Sequence, residues 1–356
     1  MVQMVITGLL VGGVLGLVLQ RGRFCFTGAF RDVLISKDSL ILKALLLSIA
    51  VHAIGILALS GLDIISPNVG QFSGVAVIAG GFIFGLGIIM AAGCASGTWQ
   101  RAGEGALTGW IALVTFMLMS AMMRTGPLGE FSSWVQGIHW GTSNSISQAT
   151  GIPQLVLATV FTAVVLVLVV KELKKPKFKV PRPKPKKKGI DHILFEKRWH
   201  PFITAILIGV IGTIAWPLSA ATGRNAGLGI TTPSANILQF LVTGDMAFIN
   251  WGVFLVVGIM LGSFISSKRS NEFKVRIPDP KQAINSAVGG LVMGFGASLG
   301  AGCNIGTALV QTAQFSFQGW VGFLFIMFGV WTGSYFVYIL PKQRQSRKID
   351  LQLSQN

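Results

Sequence analysis

Acidic residues are scarce in this chain: 12 Asp and Glu stand among 356 residues, against 29 Lys and Arg. Charged residues make up only 12%, whereas 52% are hydrophobic and the mean hydropathy is +0.67. With so little charge and few long polar stretches there is no room for a soluble catalytic domain, and the chain reads as a polytopic membrane protein. Cysteine is rare too. Cys25, Cys94 and Cys303 are the only three, and their spacings of 69 and 209 rule out a CxxC dithiol or a zinc-ligand pattern. The four histidines add no pair at metal-ligand spacing. No phosphate-binding loop or cofactor fingerprint is present, which argues against self-contained ATP-driven pumping and against a resident cofactor or metal.

What is present is an apolar segment written twice. Residues 80–98 read GGFIFGLGIIMAAGCASGT and residues 289–307 read GGLVMGFGASLGAGCNIGT. At an offset of 209, 9 of 19 positions are identical, and the shared core is Ala-Gly-Cys-x-x-Gly-Thr. Duplicated helices that break at corresponding points are the repeat signature of transporters whose interrupted helices meet at mid-membrane.

Apolar runs of about 20 residues predict nine spans: 2–20, 39–59, 74–92, 105–123, 151–170, 201–221, 249–266, 283–301 and 319–340. The first has no basic residue before it and no A-x-A cleavage site, so it is expected to be a retained span. Four basic regions read as cytoplasmic: 21–37, 171–198, 268–281 and the tail from Lys342. Residues 60–70 carry no Lys or Arg and read as external. Nine spans then leave the N-terminus outside and the C-terminus in the cytoplasm. The net charge of +17 does not point to nucleic acid, because ten Lys and Arg crowd into 171–188 beside four prolines. Such a run fits a flexible linker lying on lipid headgroups, or a dock for an acidic partner.

The expected fold is thus all-α: about nine transmembrane helices plus re-entrant half-helices, in two inverted pseudo-symmetric repeats. The first span shares Gly-Val-x-Gly with the sixth (Gly13–Gly16; Gly209–Gly212), and five spans separate the two, an odd number. The domain boundaries expected are 1–170, a basic linker 171–200, a second repeat 201–341 and a tail 342–356. Four short segments that come after spans, 24–31, 94–101, 231–243 and 303–314, are too polar or broken to cross and read as half-helices. Thr231-Thr232-Pro233 marks the start of one.

A membrane cysteine is ordinarily a small buried hydrophobe. Here all three stand at breaks after spans, which argues for a functional path. Gly93, Gly97, Gly302 and Gly306 bracket two of them, and Thr98, Asn304 and Thr307 open the next helices. Free N–H groups there favour a small anion. Arg23, Arg101 and Arg224 stand where they can add positive potential, or serve as interfacial topology signals. Glycines 85, 87, 294 and 296 read as helix contacts, His52 as a packing residue, and Glu104 as a partner for Arg101.

GRFCFTGAFRD, GCASGTWQRAGEG and GAGCNIGTALV, in this order and setting, resemble the YeeE/YedE sulfur-transport family over nearly the whole chain. The resemblance implies import of thiosulfate across a bacterial inner membrane, with Cys25, Cys94 and Cys303 touching the ion along a central path. It also implies a small cytoplasmic sulfur-relay partner of the TusA-like YeeD kind. Members of the YedE branch are associated with selenium handling, which leaves the ion open. Thiosulfate is a dianion with one large, soft sulfur. A neutral thiol donates to it weakly, which suits conduction, and a thiolate would repel it. Two other classes stay in view: a membrane thiol enzyme such as a sulfurtransferase, and a receptor for the relay protein.

Overall fold

The computed structural model describes residues 1–67, 69–141, 143–175, 195–196 and 199–343. The basic stretch 176–194 and the tail beyond Gln343 lie outside the described residues. Among those described, nine helices are long and apolar enough to cross a membrane. They are α1 (Val2–Gly22), α3 (Leu40–Gly61), α4 (Gly74–Met90), α6 (Leu107–Arg124), α9 (Gln154–Leu173), α10 (Pro201–Ala220), α12 (Trp251–Arg269), α13 (Pro280–Gly296) and α14 (Phe317–Ser334). Shorter helices come after breaks: α2 (Phe26–Ile35), α5 (Ala95–Gly103), α11 (Thr231–Thr243) and a wide-turn helix over Gly306–Gln311. These occupy the four segments expected as half-helices.

The connection between α6 and α9 forms α7 (Gly129–Gln136) and α8 (Ile146–Thr150). Gln136 of α7 donates to the Ser298 carbonyl at 2.8 Å, and Ser73 donates to the Gln136 carbonyl. Its polar residues are therefore recruited to bridge α4 and the end of α13. A span-counting argument does not reach such contacts.

Small residues decide the packing. Gly8, Gly12 and Gly16 are spaced one turn apart on α1, and a β-carbon at Gly12 or Gly16 would strike the α12 carbonyls of Leu255 and Ile259. The helices approach until backbones touch, the main source of attraction where lipid and side chains are equally apolar. The duplicated helices do the same to each other. A β-carbon at Gly87 of α4 would collide with the Met293 nitrogen of α13, and one at Gly289 with Ala91.

The packing obeys an exchange rule. α1 lies on α12, and its counterpart α10 lies on α3; α4 lies on α14, and α13 on α6. The half-helices do likewise, with α2 on α14 and α11 on α6, α5 on α12 and the Gly306–Gln311 helix on α3. α4 and α13 pair directly at the centre. Each half thus closes around helices of the other.

Candidate functional site

Each of the four breaks is made by a residue in the left-handed backbone region: Arg23 (φ 45°), Ala92 (φ 54°), Gly223 (φ 85°) and Gly302 (φ 70°). Such a residue ends the preceding helix and turns the chain. In two cases a cysteine, Cys25 or Cys94, then caps the next helix, and Cys303 stands three residues before the Gly306–Gln311 helix, whose cap position is Ile305. Cys25 (φ −115°, ψ 112°) and Cys94 (φ −81°, ψ 175°) are extended, as a cap residue must be. Cys25 Sγ accepts the Gly28 N–H at 3.3 Å and Cys303 Sγ accepts the Gly306 N–H at 3.4 Å. Cys94 Sγ sits 3.3 Å from Ser96 Oγ. A sulfur that caps through its lone pairs keeps its S–H free to point elsewhere.

A glycine stands three residues after each cysteine. Sequence reasoning bracketed Gly97 and Gly306 but missed Gly28, although Cys-Phe-Thr-Gly is the same Cys-x-x-Gly. A β-carbon would lie 3.6 Å from Cys94 Sγ at Gly97, and 3.8 Å from the Cys25 and Cys303 sulfurs at Gly28 and Gly306. Those are ordinary contact distances, so the backbone tolerates a side chain there. A methyl there would sit directly against the sulfur.

Three cavities surround these turns. The first, of about 540 Å³, holds Cys25, Gly93, Cys94, Gly97, Arg23 and Arg101 together with Gln20, Ser96, Gln100, Glu104 and Glu272. Arg31, Lys274 and Arg276 add positive charge to its wall. The second, of about 450 Å³, meets Ser73, Arg124, Gln136, His139, Thr231, Thr232, Ser298, Gly300, Gly302 and Gln318. Ser73 precedes α4 and Ala92 comes just after it. α4 itself is 17 residues long, so the two cavities lie about 25 Å apart along the helix. The third, of about 200 Å³, is lined by Arg224, Gly306, Gln311 and Gln318 among others. Sharing Gln318 and the 69–73 segment, it opens beside the second.

Cys303 lines none of these cavities. It is 2% exposed, as is Cys94, whereas Cys25 is exposed. Its neighbours Gly302 and Gly306 face the second and third cavities. Cys94 lies within electrostatic range of both Cys25 and Cys303. Cys303 is buried, next in the chain to Gly302 on the second cavity and three residues before Gly306 on the third. Asn304 (1% exposed) and Thr307 (0%) flank it, and neither the Asn304 amide nor the Thr307 hydroxyl has a partner. Buried polar groups almost always have one.

The remaining predicted residues part ways. Thr98, buried, turns its hydroxyl back to the Ala95 carbonyl at 2.7 Å and stays off the cavity wall. Arg101 does not pair with Glu104. Its guanidinium reaches the Ala92 carbonyl left open by the break, and the Glu104 carboxylate takes the Gln100 amide at 2.9 Å. Arg23 is held by Glu272 at 3.0 Å, with Arg21 at 3.7 Å on the same carboxylate oxygen. Arg224 has no carboxylate partner among the described residues. It donates to Ser219 Oγ and to the Ala226 and Gly227 carbonyls at 2.9–3.1 Å. His52 is fully buried against Gly212 and lies 3.4 Å from Thr213 Oγ1, a packing position.

Sequence reasoning missed Glu272, Lys274, Arg276, Arg124, Thr231, Thr232, Ser298 and Gln318 as cavity residues. None belongs to a cysteine motif, and tertiary contact alone brings them in. Among the described residues no group of three or more His, Cys, Asp or Glu is placed to hold a metal.

A family model for sulphur transport matches residues 21–332. The chain is 52% identical to the thiosulfate transporter TsuA of Escherichia coli, covering 98% of both proteins. It is 32% identical to the thiosulfate transporter TsuA of Spirochaeta thermophila, over 94% of this chain and 99% of the relative. A probable transporter of Salmonella typhimurium, YedE, is 39% identical over a shorter stretch, 29% of this chain and 25% of its own length. Matched from the first break through α14, this multi-pass membrane protein belongs to the sulphur-transport family.

Proposed function

We propose that the protein imports thiosulfate across a bacterial inner membrane by handing it between the thiols of Cys25, Cys94 and Cys303. The observation that carries this reading is the setting of the two buried cysteines. Cys94 floors one cavity, Gly302 and Gly306 face the second and third, and Cys303, between those glycines in the chain, is buried with the unpartnered Asn304 and Thr307 near it in sequence. In a hydrocarbon setting unpaired polar groups are costly, and a passing polar ion supplies the missing partners. The similarity to two thiosulfate transporters supports the choice of ion.

The chemistry arises from the caps. Each sulfur stands near a helix start, and those of Cys25 and Cys303, which accept a backbone N–H, keep their S–H free. A neutral thiol donates weakly to the soft terminal sulfur of thiosulfate, so the ion is held but not trapped. Helix N-termini at all three cysteines add partial positive charge. Short hops between neighbouring thiols need only local opening at Cys303, without large rocking of the halves. By the positive-inside rule this reading puts the Arg23 cavity, Lys268 and Arg269 on the cytoplasmic side and the second cavity outside. The exit basin, lined by Arg31, Lys274 and Arg276, then faces a small TusA-like sulfur carrier, the partner this reading assigns. The competing reading, another sulfur or selenium anion, keeps the same path.

Proteoliposomes loaded with labelled thiosulfate on one side test the proposal. Uptake should be saturable, outcompeted by unlabelled thiosulfate, and lost in Cys94→Ala and Cys303→Ala protein that still elutes as a folded species. Full uptake in both variants rejects the relay, and a persulfide formed on a cysteine without flux would instead favour a sulfurtransferase.

A further inference from the structure

The fourth half-helix departs from the other three. Where the others have a cysteine at or within three residues of their first residue, α11 has Ile230 at its cap position, which has no hydrogen-bonding side chain. The first amides of α11, those of Thr231 and Thr232, are left without a side-chain cap, and Pro233 has no N–H to offer. Arg124, at the end of α6, reaches across to donate to Thr232 Oγ1 at 2.9 Å. No Asp or Glu lines this cavity, and Arg124 has no carboxylate partner among the described residues. Two more hydroxyls stand in its wall, Thr231 (7% exposed) and Ser298 (8% exposed). Neither has a hydrogen-bond partner.

We propose that this cavity is a loading site for the oxygen-bearing end of an oxyanion, formed by Arg124, Thr231, Thr232, Ser298 and the amino end of α11. Guanidinium, hydroxyl and amide N–H groups are hard donors that match anionic oxygens, whereas the thiols suit a soft sulfur. At about 450 Å³ the space equals some 15 waters at about 30 Å³ each, so an ion enters still partly hydrated. Gly302 shares the same wall and leads to Cys303. Recognition is thereby divided. The outer site accepts any small tetrahedral oxyanion, sulfate included, and the thiols pass only one with an exposed sulfur. Sulfate becomes a competing ion that binds and is not carried.

This inference rests on the transporter reading, and its test separates the two. Full-length protein carrying both Cys94→Ala and Cys303→Ala is titrated calorimetrically with thiosulfate and with sulfate. Both ions should bind, within about threefold of each other, because the outer site ignores the terminal sulfur. Arg124→Gln, or Thr231→Val with Ser298→Ala, should weaken both at least tenfold, while Lys37→Gln on the other face leaves them unchanged. In liposomes, sulfate should raise the apparent KM for thiosulfate without itself accumulating, and Arg124→Gln should blunt that competition. Undiminished binding in folded Arg124→Gln protein, or no sulfate binding at all, overturns the loading site. Binding that persists in wild-type protein with no uptake would defeat the transporter reading and leave the site standing.

Discussion

The two copies of the duplicated segment end in the same turn and meet different fates. Cys94 and Cys303 each stand near a helix start, each precede a glycine by three residues, and are equally buried. Yet Cys94 sits on a cavity wall with Ser96 beside it, whereas Cys303 sits in the closed centre beside an Asn and a Thr that lack partners. The motif dictates the turn. Access is decided by the tertiary surroundings. Polar residues follow both cysteines (Ser96, Gln100, Arg101 and Glu104; Asn304, Thr307, Gln311 and Gln314), but those after Cys94 share its cavity, whereas Cys303 lines none. In the proposed relay, one copy serves as a landing and the other as a gate.

The comparison breaks most sharply at the sulfurs. Cys303→Ala and Cys94→Ala should each lower thiosulfate uptake at least tenfold, the equivalent of about 1.4 kcal/mol. Equal loss in both would mean that landing and gate are traversed in series, and loss in only one would break the symmetry of roles.

Next comes Gly302→Ala. Its φ of 70° and a β-carbon only 2.7 Å from Thr307 Oγ1 make this substitution strained. Destabilisation of about 1–2 kcal/mol, read as a lowered melting temperature in detergent, should accompany loss of uptake. Gly97→Ala and Gly306→Ala are the milder partners. They leave melting nearly unchanged and reduce uptake several-fold by covering sulfur. If all three glycine variants melt alike, the distinction between backbone need and sulfur exposure fails.

Asn304→Leu separates stability from passage. Removing an unpaired buried amide should stabilise the protein by about 1–3 kcal/mol while uptake falls, because the gate loses its polar step. A variant that is both less stable and fully active contradicts the assignment. Ser96→Ala, the smallest change, should alter uptake no more than about twofold, since its hydroxyl only neighbours a sulfur already exposed to the cavity; a tenfold loss would give Ser96 a direct part in handling the ion.

Much of the fold was legible because a bilayer leaves few options. Apolar length sets spans, and the observed helices begin and end within a few residues of those expected, as with Gly74–Met90 against 74–92. The half-helices were legible from cysteine and glycine where a break needs a left-handed residue. Arg23 and Ala92, both non-glycine, show where that signal stops. The Arg101–Glu104 pairing failed because sequence spacing cannot foresee that the break at Ala92 presents a nearer acceptor.

Length, apolarity and a repeated thiol-bearing turn were enough, without coordinates, to declare a membrane bundle with sulfur at its broken helices. Those are local properties, set by the solvation of backbone groups and the sterics of one chain segment. Which cysteine faces water, which stays shut in, and how Arg124, Ser298 and Thr231 converge from distant positions depended on the exchange of helices between halves. Those outcomes belong to contacts between segments more than a hundred residues apart in several cases, and short-range patterns carry no record of them.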